Sequence, residues 1–337
     1  MAGIKDIAKI TGLSLATISR VFNESPLVSK KTREIVLKAS KKLDYQPNLM
    51  ASALRSGKSK IIGIIIPELS NPFFSSIING IEQKANEANY SIIIAQSHES
   101  KEKEIKAIQS FIQSKVDGVL LSFTEQTIAL NIIKRLNSYN IPVVFFDRTH
   151  QLKNTNQIGF DNYKGAFLAT EHLINQGCKN IIHIVGNLKM EIHKERKKGY
   201  VSALQDYGSF YNEETSIVHL NMNELADSKT IQNLCNDSEN PTDGIFAHGD
   251  ESALYILNIL KKIQIDVPKD VKLIGFGNTN FSSLVQPKLS TIDQRNSEMG
   301  KLSACMLLEI LNSEKLISPK TEILSPKLII RESSLSQ

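Results

Sequence analysis

The chain has 337 residues, of which 41% are apolar, enough to bury the cores of two or three domains and to argue against a disordered chain. Its cysteines, Cys178, Cys235 and Cys305, are far apart and odd in number, which argues against a disulfide framework or a zinc knuckle and favours reduced thiols. The formal net charge of +5 is unevenly distributed, because residues 1–60 form a basic segment with a charge of +8 and the remainder carries −3. Such a segment suits phosphate backbones, although RNA or a membrane surface would also attract it.

Two features of the sequence argue against a membrane or secreted protein. The longest apolar runs, Ile61 to Pro67 and Ile141 to Phe146, are far shorter than the roughly 20 residues of a membrane-spanning helix. The N-terminus lacks an apolar stretch of signal-peptide length. We therefore expect a soluble, cytoplasmic protein with no membrane partner.

The first predicted elements are two short helices joined by a tight turn. Apolar residues recur at helical spacing up to Thr11, and Gly12 then supplies the left-handed conformation that a tight turn needs. Ser14 is a good N-cap for the second helix. The apolar stripe of this second helix consists of Ile18, Val21 and Phe22.

A third helix is predicted after Ser29. Its predicted core face consists of Ile35, Val36, Ala39 and Leu43. Three short helices with a glycine turn between the first two describe a helix-turn-helix unit.

The second helix leaves five residues on its other faces: Leu15, Ala16, Thr17, Ser19 and Arg20. A major groove admits one α-helix, whose N-terminal side chains read base edges. Leu15 and Ala16 would allow close approach to thymine methyl groups, Thr17 and Ser19 could donate to phosphates, and Arg20 could donate two hydrogen bonds to guanine. The alternative is a three-helix bundle with a solvated basic surface. The coincidence of charge, turn and cap favours DNA recognition.

Four segments, in this order and at this spacing, form a recognisable pattern. They are Ile4 to Lys9, Gly12 to Asn23, Val28 to Arg33 and Tyr45 to Asn48. They resemble the head of the LacI/GalR family of bacterial repressors, and the resemblance runs through nearly the whole chain. It implies that Asn23, Ser29, Asn48 and Ala51 also contact DNA.

The same resemblance implies a hinge helix that orders on operator DNA. A leucine of each hinge, here Leu54, would wedge into the central base step of the minor groove. The alternative is that Leu54 packs on the body of the protein. The resemblance favours the wedge.

Candidate strands and helices alternate along the body in two successive sets. The predicted strands are Ile61–Pro67, Ser91–Gln96, Gly118–Phe123, Pro142–Asp147, Asn180–Gly186, Ile217–Leu220, Gly244–Ala247 and Val271–Phe276. This alternation predicts an α/β fold with two doubly wound parallel-sheet lobes, which the resemblance identifies as similar to periplasmic binding proteins.

The predicted domains follow from these elements. A helix-turn-helix domain spans 1–46, a hinge helix and linker span 47–60, and a sensor and dimerisation domain spans 61–337. Within that last domain, lobe 1 comprises about 61–160 and 292–323, and lobe 2 comprises about 161–291 and 324–337.

Ligands of open α/β sheets bind outside the carboxyl ends of the strands, and the resemblance places an effector cleft there. Carboxylates and arginines suit the vicinal hydroxyls of a polyol, and aromatic rings can stack on a sugar or base. The alternative for the charged residues is a local salt bridge at a strand end. The candidate effector-binding residues are Asn71, Phe73, Phe74, Asp147, Arg148, Asp161, Arg196, Asp250, Asn278 and Gln294.

One departure from the family leaves the effector's identity open. After the strand Val271–Phe276 the family usually has an aspartate that binds a sugar hydroxyl, whereas this chain has Gly277. The basic run Lys194 to Lys198 could suit a phosphorylated effector, or it could be a solvated helix face.

No catalytic motif, metal-binding spacing or cofactor loop is recognisable, so we expect neither an enzyme nor a bound metal or cofactor. A transport binding protein would lack the basic head. We expect a sequence-specific DNA-binding regulator, most simply a repressor, that binds a pseudo-palindromic operator as a homodimer. A sugar-like small molecule in the inter-lobe cleft would control it; the alternative is control by a partner protein.

Overall fold

The chain divides into two compact units, Met1–Lys60 and Ile61–Gln337. The computed structural model describes residues 3–22, 25–45, 57–149, 152–220, 224–315 and 318–335. The candidate DNA contacts Asn23, Asn48, Ala51 and Leu54, and with them the predicted hinge helix, lie outside the described residues.

The N-terminal unit contains the three predicted helices: α1 (Ile4–Thr11), α2 (Leu15–Phe22) and α3 (Lys30–Lys42). Gly12 ends α1 in the left-handed conformation at a φ of 68°, as the turn requires. The hydroxyl of Ser14 accepts a hydrogen bond from the backbone nitrogen of Thr17 at 3.1 Å, and Ser29 caps α3 in the same way. The local sequence signals for turn and caps are therefore confirmed.

The helices pack around a small core formed by Ile7, Ile18, Val21, Val36 and Ala39. Ile35, which we assigned to the core face of α3, is instead 45% exposed. The buried positions 36 and 39 are one helical turn apart, and position 35 lies at the flank of their stripe.

In the second unit, the strands occur in two groups along the chain. They are β1 (Ile61–Ile66), β2 (Ser91–Gln96), β3 (Gly118–Leu121), β4 (Val143–Asp147), β5 (Gln157–Phe160), β6 (Ile181–Ile184), β7 (Ile217–Val218), β8 (Gly244–Ala247), β9 (Lys272–Phe276), β10 (Ser290–Asp293), β11 (Thr321–Leu324) and β12 (Lys327–Ile329).

Helices follow most of these strands. They are α4 (Pro72–Glu87), α5 (Lys101–Gln113), α6 (Gln126–Asn137), α7 (Asn162–Asn175), α8 (Glu191–Asp206), α9 (Glu213–Ser216), α10 (Glu224–Cys235), α11 (Asp250–Lys262) and α12 (Asn296–Asn312), with 3-10 turns at Asn280–Ser283 and Glu332–Ser334. Within the described ranges, none of the helices has the length and apolar character needed to cross a bilayer.

The strands form two six-stranded sheets, one in each lobe. Their orders are β11-β5-β4-β3-β1-β2 and β12-β10-β9-β8-β6-β7. The strands pair in parallel, apart from the antiparallel pair β10 and β12. Central strands such as β3 and β4 are buried along their whole length, whereas the residues of the edge strand β2 are all exposed or half-buried. The predicted architecture of two parallel-sheet lobes is thus the observed one.

The chain crosses between the lobes at positions slightly different from those predicted. Ile292 and Asp293, which we assigned to lobe 1, belong to β10 of the second sheet. Leu324, which we assigned to lobe 2, belongs to β11 of the first sheet. These strands are only four residues long, so their periodicity does not mark their ends.

Close helix contacts at two glycines fix the position of α12 in the first lobe. A Cβ atom on Gly80 would lie 2.1 Å from the backbone oxygen of Ser297, and one on Gly300 would lie 2.0 Å from that of Ile77. Only glycine allows the backbones of α4 and α12 to approach this closely. The helix that returns from the second lobe is therefore packed firmly against the first.

Candidate functional site

The outer face of α2 carries the described part of the predicted DNA-reading surface. Leu15 is 44% exposed, and Ala16 and Arg20 are also exposed. Thr17 and Ser19 are half-buried, and the hydroxyl of Thr17 lies 2.9 Å from that of Ser14. The structure therefore presents an apolar patch and one guanidinium outward, with the Thr17 hydroxyl engaged in the cap.

The other DNA-contact candidate of this unit, Ser29, is exposed at the start of α3. Its hydroxyl accepts the Thr32 amide at 3.2 Å and lies 2.8 Å from the Thr32 hydroxyl. Nearby, Arg33 donates to the carbonyls of Val21 and Ser25 at 3.4 and 3.1 Å. Arg33 thus stabilises the C-terminal end of α2 rather than adding a free cation to the surface.

The second unit contains a cavity of about 420 Å³ between the lobes, at the carboxyl ends of the strands. This is the edge where a parallel sheet places its ligand. Both lobes supply lining residues. The predicted residues that line this cavity are Asn71, Phe73, Phe74, Asp147, Arg148, Arg196, Asp250 and Gln294.

Two predicted effector residues do not line the cavity. The carboxylate of Asp161 accepts the Lys164 amide at 2.8 Å and caps α7. The side-chain oxygen of Asn278 accepts a hydrogen bond from Arg331 at 2.8 Å. The hydrogen bond that each side chain accepts explains the presence of a polar residue at that position. Neither residue is therefore part of the candidate site.

Arg196 is the buried cation of the cavity, with 6% of its surface exposed. Its Nε donates to the side-chain oxygen of Asn162 at 2.9 Å, and its Nη1 donates to the carbonyl of His248. Burial lowers the pKa of Arg196 to about 10, and the carboxylates of Asp147 and Asp250 oppose this shift. The guanidinium remains charged at neutral pH and is fixed in position.

Arg148 forms the second guanidinium of the cavity and is held by Glu99. Nη1 donates to one carboxylate oxygen at 2.8 Å and Nη2 donates to the other at 2.6 Å. The neighbouring Asp147 is buried, with its carboxylate 3.4 Å from the Ser122 hydroxyl. Burial raises the pKa of Asp147, and the charges of Arg148 and Arg196 oppose that rise.

Asp250 lines the cavity, but its carboxylate already accepts four hydrogen bonds. One oxygen accepts from the amide and hydroxyl of Thr279 at 2.7 and 3.0 Å and from the Ser282 hydroxyl at 2.7 Å. The other accepts from the Thr291 hydroxyl at 2.6 Å. Asp250 therefore organises the loop after β9 and supplies negative charge to the cavity.

Several buried polar atoms of the cavity have no hydrogen-bond partner in the described part of the chain. They include Nδ1 of His193, Nδ1 of His248 and Nε2 of Gln294. Burial lowers the pKa of His193 to about 2 and that of His248 to about 4, so both rings are neutral at neutral pH. Unpartnered buried polar groups of this kind are costly unless a ligand or water satisfies them.

Gly277, where the family usually has an aspartate, also faces the cavity. Its φ of 130° lies in a region that side chains rarely adopt. A Cβ atom here would lie 3.7 Å from the side-chain oxygen of Gln294 and 3.8 Å from Asp250. The missing side chain leaves space beside Gln294, whose buried amide nitrogen has no hydrogen-bond partner among the described residues.

The lysines of the basic run 194–198 do not line the cavity. Lys194 and Lys198 form ion pairs on the surface of α8 with Glu191 and Glu195 at 3.2 and 2.6 Å. Lys197 pairs with Glu213. Of the two alternatives for this run, the structure agrees with a solvated helix face. The run therefore gives no support to a phosphorylated effector.

The structure adds lining residues that individual motifs did not reveal. They are Pro67, Glu68, His98, Glu99, Met190, Ile192, His193, His248, Gly249, Glu251, Ser252, Phe276, Gly277 and Thr279. Most lie within a few residues of a strand end, where ligands of a parallel sheet are expected to bind. Sequence position alone does not show which side chains of such a loop turn inward. The described residues contain no group of three or more His, Cys, Asp or Glu side chains that could hold a metal.

Comparisons with known proteins agree with both units. Residues 3–48 match the model for bacterial regulatory proteins of the lacI family, and residues 62–315 match that of a periplasmic binding protein domain. The ribose operon repressor of Halalkalibacterium halodurans is 32% identical over 334 residues, covering 99% of this chain and 97% of that protein.

Solved structures share the fold over the full length. The complex of the transcriptional regulator CelR with cellobiose matches with a TM-score of 0.71 and 26% identity, covering 99% of this chain and 100% of that one. The lac repressor dimer bound to operator and the anti-inducer ONPF matches with a TM-score of 0.86 and 24% identity, covering 99% of each chain. Together with the helix-turn-helix unit and the two-lobed body, these matches place the chain in the lacI family of bacterial regulatory proteins, as a DNA-binding transcription regulator and not an enzyme.

Proposed function

We propose that the chain is a transcriptional repressor that binds a pseudo-palindromic operator as a homodimer and responds to a small polar effector between its lobes. The observation that carries the effector part is the cavity of about 420 Å³, which lies within the usual size range of ligand sites. Its unpartnered buried atoms on His193, His248 and Gln294 are groups that a polyol could satisfy. A sugar bound by CelR is consistent with this class of ligand.

The two lobes would respond together to such a ligand. Asp147 and Arg148 come from the first lobe, whereas Arg196 and Asp250 come from the second. A ligand that binds both sets of groups favours one angle between the lobes over others. Since coupling is reciprocal, operator DNA must then change effector affinity by the same factor as the effector changes operator affinity.

DNA recognition in this proposal uses the outer face of α2. Leu15 and Ala16 would contact base edges, Arg20 would read guanine, and Thr17, Ser19 and Ser29 would contact the phosphate backbone. Asn23, Asn48, Ala51 and Leu54 remain proposed contacts by resemblance. The net charge of +8 in residues 1–60 supplies the electrostatic attraction to the duplex.

A homodimer needs a self-complementary surface, and edge strand β2 offers one candidate. Ile93 and Ile94 are 39% and 36% exposed there. Exposed apolar side chains on an edge strand favour association. Sedimentation should show a dimer for the native chain and a shift toward monomer for Ile93→Asp. An unchanged sedimentation coefficient would place the dimer surface elsewhere.

The effector proposal is tested by titrating sugars, amino sugars, sugar phosphates and nucleosides into the purified chain bound to a fluorescent operator recovered by selection from random DNA. We expect one class of saturable ligand to change operator affinity, and calorimetry of the DNA-free chain to show the same ligand binding. If no small molecule in the panel bound, the cavity would not be an effector site. The DNA-binding part of the proposal would be unaffected by that result.

A further inference from the structure

The charges around the inter-lobe cavity do not balance. Five carboxylates line it, but only two guanidinium groups do. The carboxylates are Glu68, Glu99, Asp147, Asp250 and Glu251, and the cations are Arg148 and Arg196. The cavity is therefore acidic, which disfavours an anionic ligand such as a sugar phosphate.

Pairing within the cavity identifies the carboxylates that are left uncompensated. Arg148 is committed to Glu99 through two hydrogen bonds. The charges of Asp147 and Asp250 both raise the pKa of Arg196 and so partly offset its positive charge. Glu68 and Glu251, both exposed, form no ion pair with any of the described residues, so no cation of the chain neutralises their charges. Glu68 accepts a hydrogen bond from the neutral Ser70 hydroxyl at 2.7 Å.

These two carboxylates come from opposite lobes. Glu68 lies two residues after β1 of the first sheet, and Glu251 lies in the first turn of α11 beside the second sheet. The negative charges of Glu68 and Asp250 contribute to a raised pKa of Glu251, after burial as the largest cause. Closing the lobes without a cation between them would increase this repulsion.

A separate feature favours a ligand with hydrogen-bonding groups. The side chain of Gln294 is 3% exposed, and its amide nitrogen is unpartnered. The ring nitrogens Nδ1 of His193 and His248 are unpartnered as well. Hydroxyl groups satisfy both kinds of atom, because a hydroxyl can donate and accept.

We propose that the effector is a polyol bearing a protonated amine, with the ammonium group held between Glu68 and Glu251 and hydroxyl groups bound near Gln294. An ammonium group donates three hydrogen bonds and forms charge-assisted bonds with both carboxylates. It thereby removes their repulsion across the cleft and favours the closed arrangement of the lobes. The inference rests on the proposed effector function and specifies the ligand class.

The test compares amino sugars with their parent sugars by calorimetry on the full-length chain. The probes are D-glucosamine, D-galactosamine and D-mannosamine, each paired with its neutral hydroxyl parent, and with the N-acetyl form, which removes the charge but keeps the nitrogen. We expect at least one amine to bind about tenfold more tightly than its two neutral partners, as a charge-assisted bond implies.

Variants test whether the two carboxylates cause the tighter binding of the amine. Glu251→Gln and Glu68→Gln should each reduce the preference for the amine, while Glu82→Gln, which removes an exposed charge on α4, should leave it intact. The inference is overturned if no amine binds, if every neutral sugar binds at least as tightly as its amine, or if both cavity variants keep the full preference. Neutral sugars that bind and change operator affinity would leave the proposed function standing while rejecting the cationic ligand.

Discussion

The guanidinium of Arg196 is stacked on the ring of Phe276, with its central carbon 3.8 Å from the ring centroid. A cation over an aromatic face is stabilised electrostatically, most strongly where water is excluded. The same guanidinium interacts with the charge of Asp147 in the opposite lobe. Arg196 therefore links the cavity floor of the second lobe to the first, and a ligand that changes the lobe angle changes its surroundings.

Replacing Arg196 tests this link. Arg196→Ala removes a fixed donor from the cavity and leaves the buried Asp147 without one of its two cationic neighbours. We expect effector affinity to fall by about 10- to 100-fold, the cost of losing hydrogen bonds to a charged group, as measured by calorimetry with the effector that the panel identifies.

The matched control for that variant is Lys198, two residues further along α8. Lys198 is exposed and pairs with Glu195 on the same helix, so Lys198→Ala removes one positive charge without touching the cavity. Its effector affinity should equal that of the native chain. A normal effector response in Arg196→Ala would show that the cavity assignment is wrong.

Arg20→Ala tests base recognition by α2. Arg20 is exposed on this helix, and a guanidinium bound to guanine contributes base discrimination. The variant should lose about 1–3 kcal/mol of operator binding and relax the preference at one base pair of each half-site, measured by anisotropy on single-substitution operators. Lys38→Ala, which removes an exposed charge from α3, should keep the native base preference. If Arg20→Ala lowered the affinity for every duplex by the same factor, Arg20 would contact only phosphate.

Acid should destabilise the second unit through its buried histidines. His183 is 1% exposed, donates from Nδ1 to the Phe246 carbonyl at 2.9 Å, and has its pKa lowered to about 3, mainly by burial. The unfolded chain therefore binds more protons than the folded chain as the pH falls below 6.5. The contribution of His183 to the free energy of unfolding should fall by about 1.4 kcal/mol per pH unit between pH 6 and 4.

Urea unfolding of the native chain and of His183→Phe isolates this contribution. The variant keeps an aromatic ring against Phe246 but loses one hydrogen bond, so it should be less stable at pH 7.5 by about 1 kcal/mol. Its stability should then decline less steeply with acid than that of the native chain. Identical pH dependence in both proteins would mean that His183 is not the responsible group.

Gly80→Ala tests the close approach of α4 and α12. The added methyl group would lie 2.1 Å from the backbone oxygen of Ser297, which cannot rotate away as a flexible side chain can. We expect a loss of about 1–3 kcal/mol in the free energy of unfolding, measured with urea. Asn79→Ala, at an exposed neighbouring position of the same helix, is the control and should change stability by less than about 0.5 kcal/mol. If both variants had the same stability, the contact would not constrain the fold.

The sequence predicted those features that depend on local chemistry. Gly12 and Ser14 marked the turn and cap of the head, and the buried apolar runs marked central strands such as β1 and β4. The crossovers between the lobes were harder: β10 and β11, where the chain changes lobe, were not among the predicted strands, and the assigned boundaries at 292 and 324 are displaced.

For the site as well, the sequence predicted the location but not the hydrogen-bond partners of individual side chains. The carboxyl ends of the strands located the cavity correctly, but residue type did not show which side chains already had partners. Asp161 caps a helix and Asn278 binds Arg331, whereas Glu68 and Glu251 line the cavity without belonging to a recognised motif. Such distinctions depend on long-range contacts that a local pattern does not contain.

Sequence-specific recognition of DNA by the basic N-terminal unit underlies the proposed function. The most direct test is to select bound duplexes from a random pool with the full-length chain. The salt concentration is kept fixed and moderate, because it sets the strength of sequence-independent DNA binding. We expect enrichment of a pseudo-palindrome with two related half-sites, and loss of one specified base pair per half-site with Arg20→Ala. Equal recovery of all sequences, with no motif enriched over successive rounds, would contradict it.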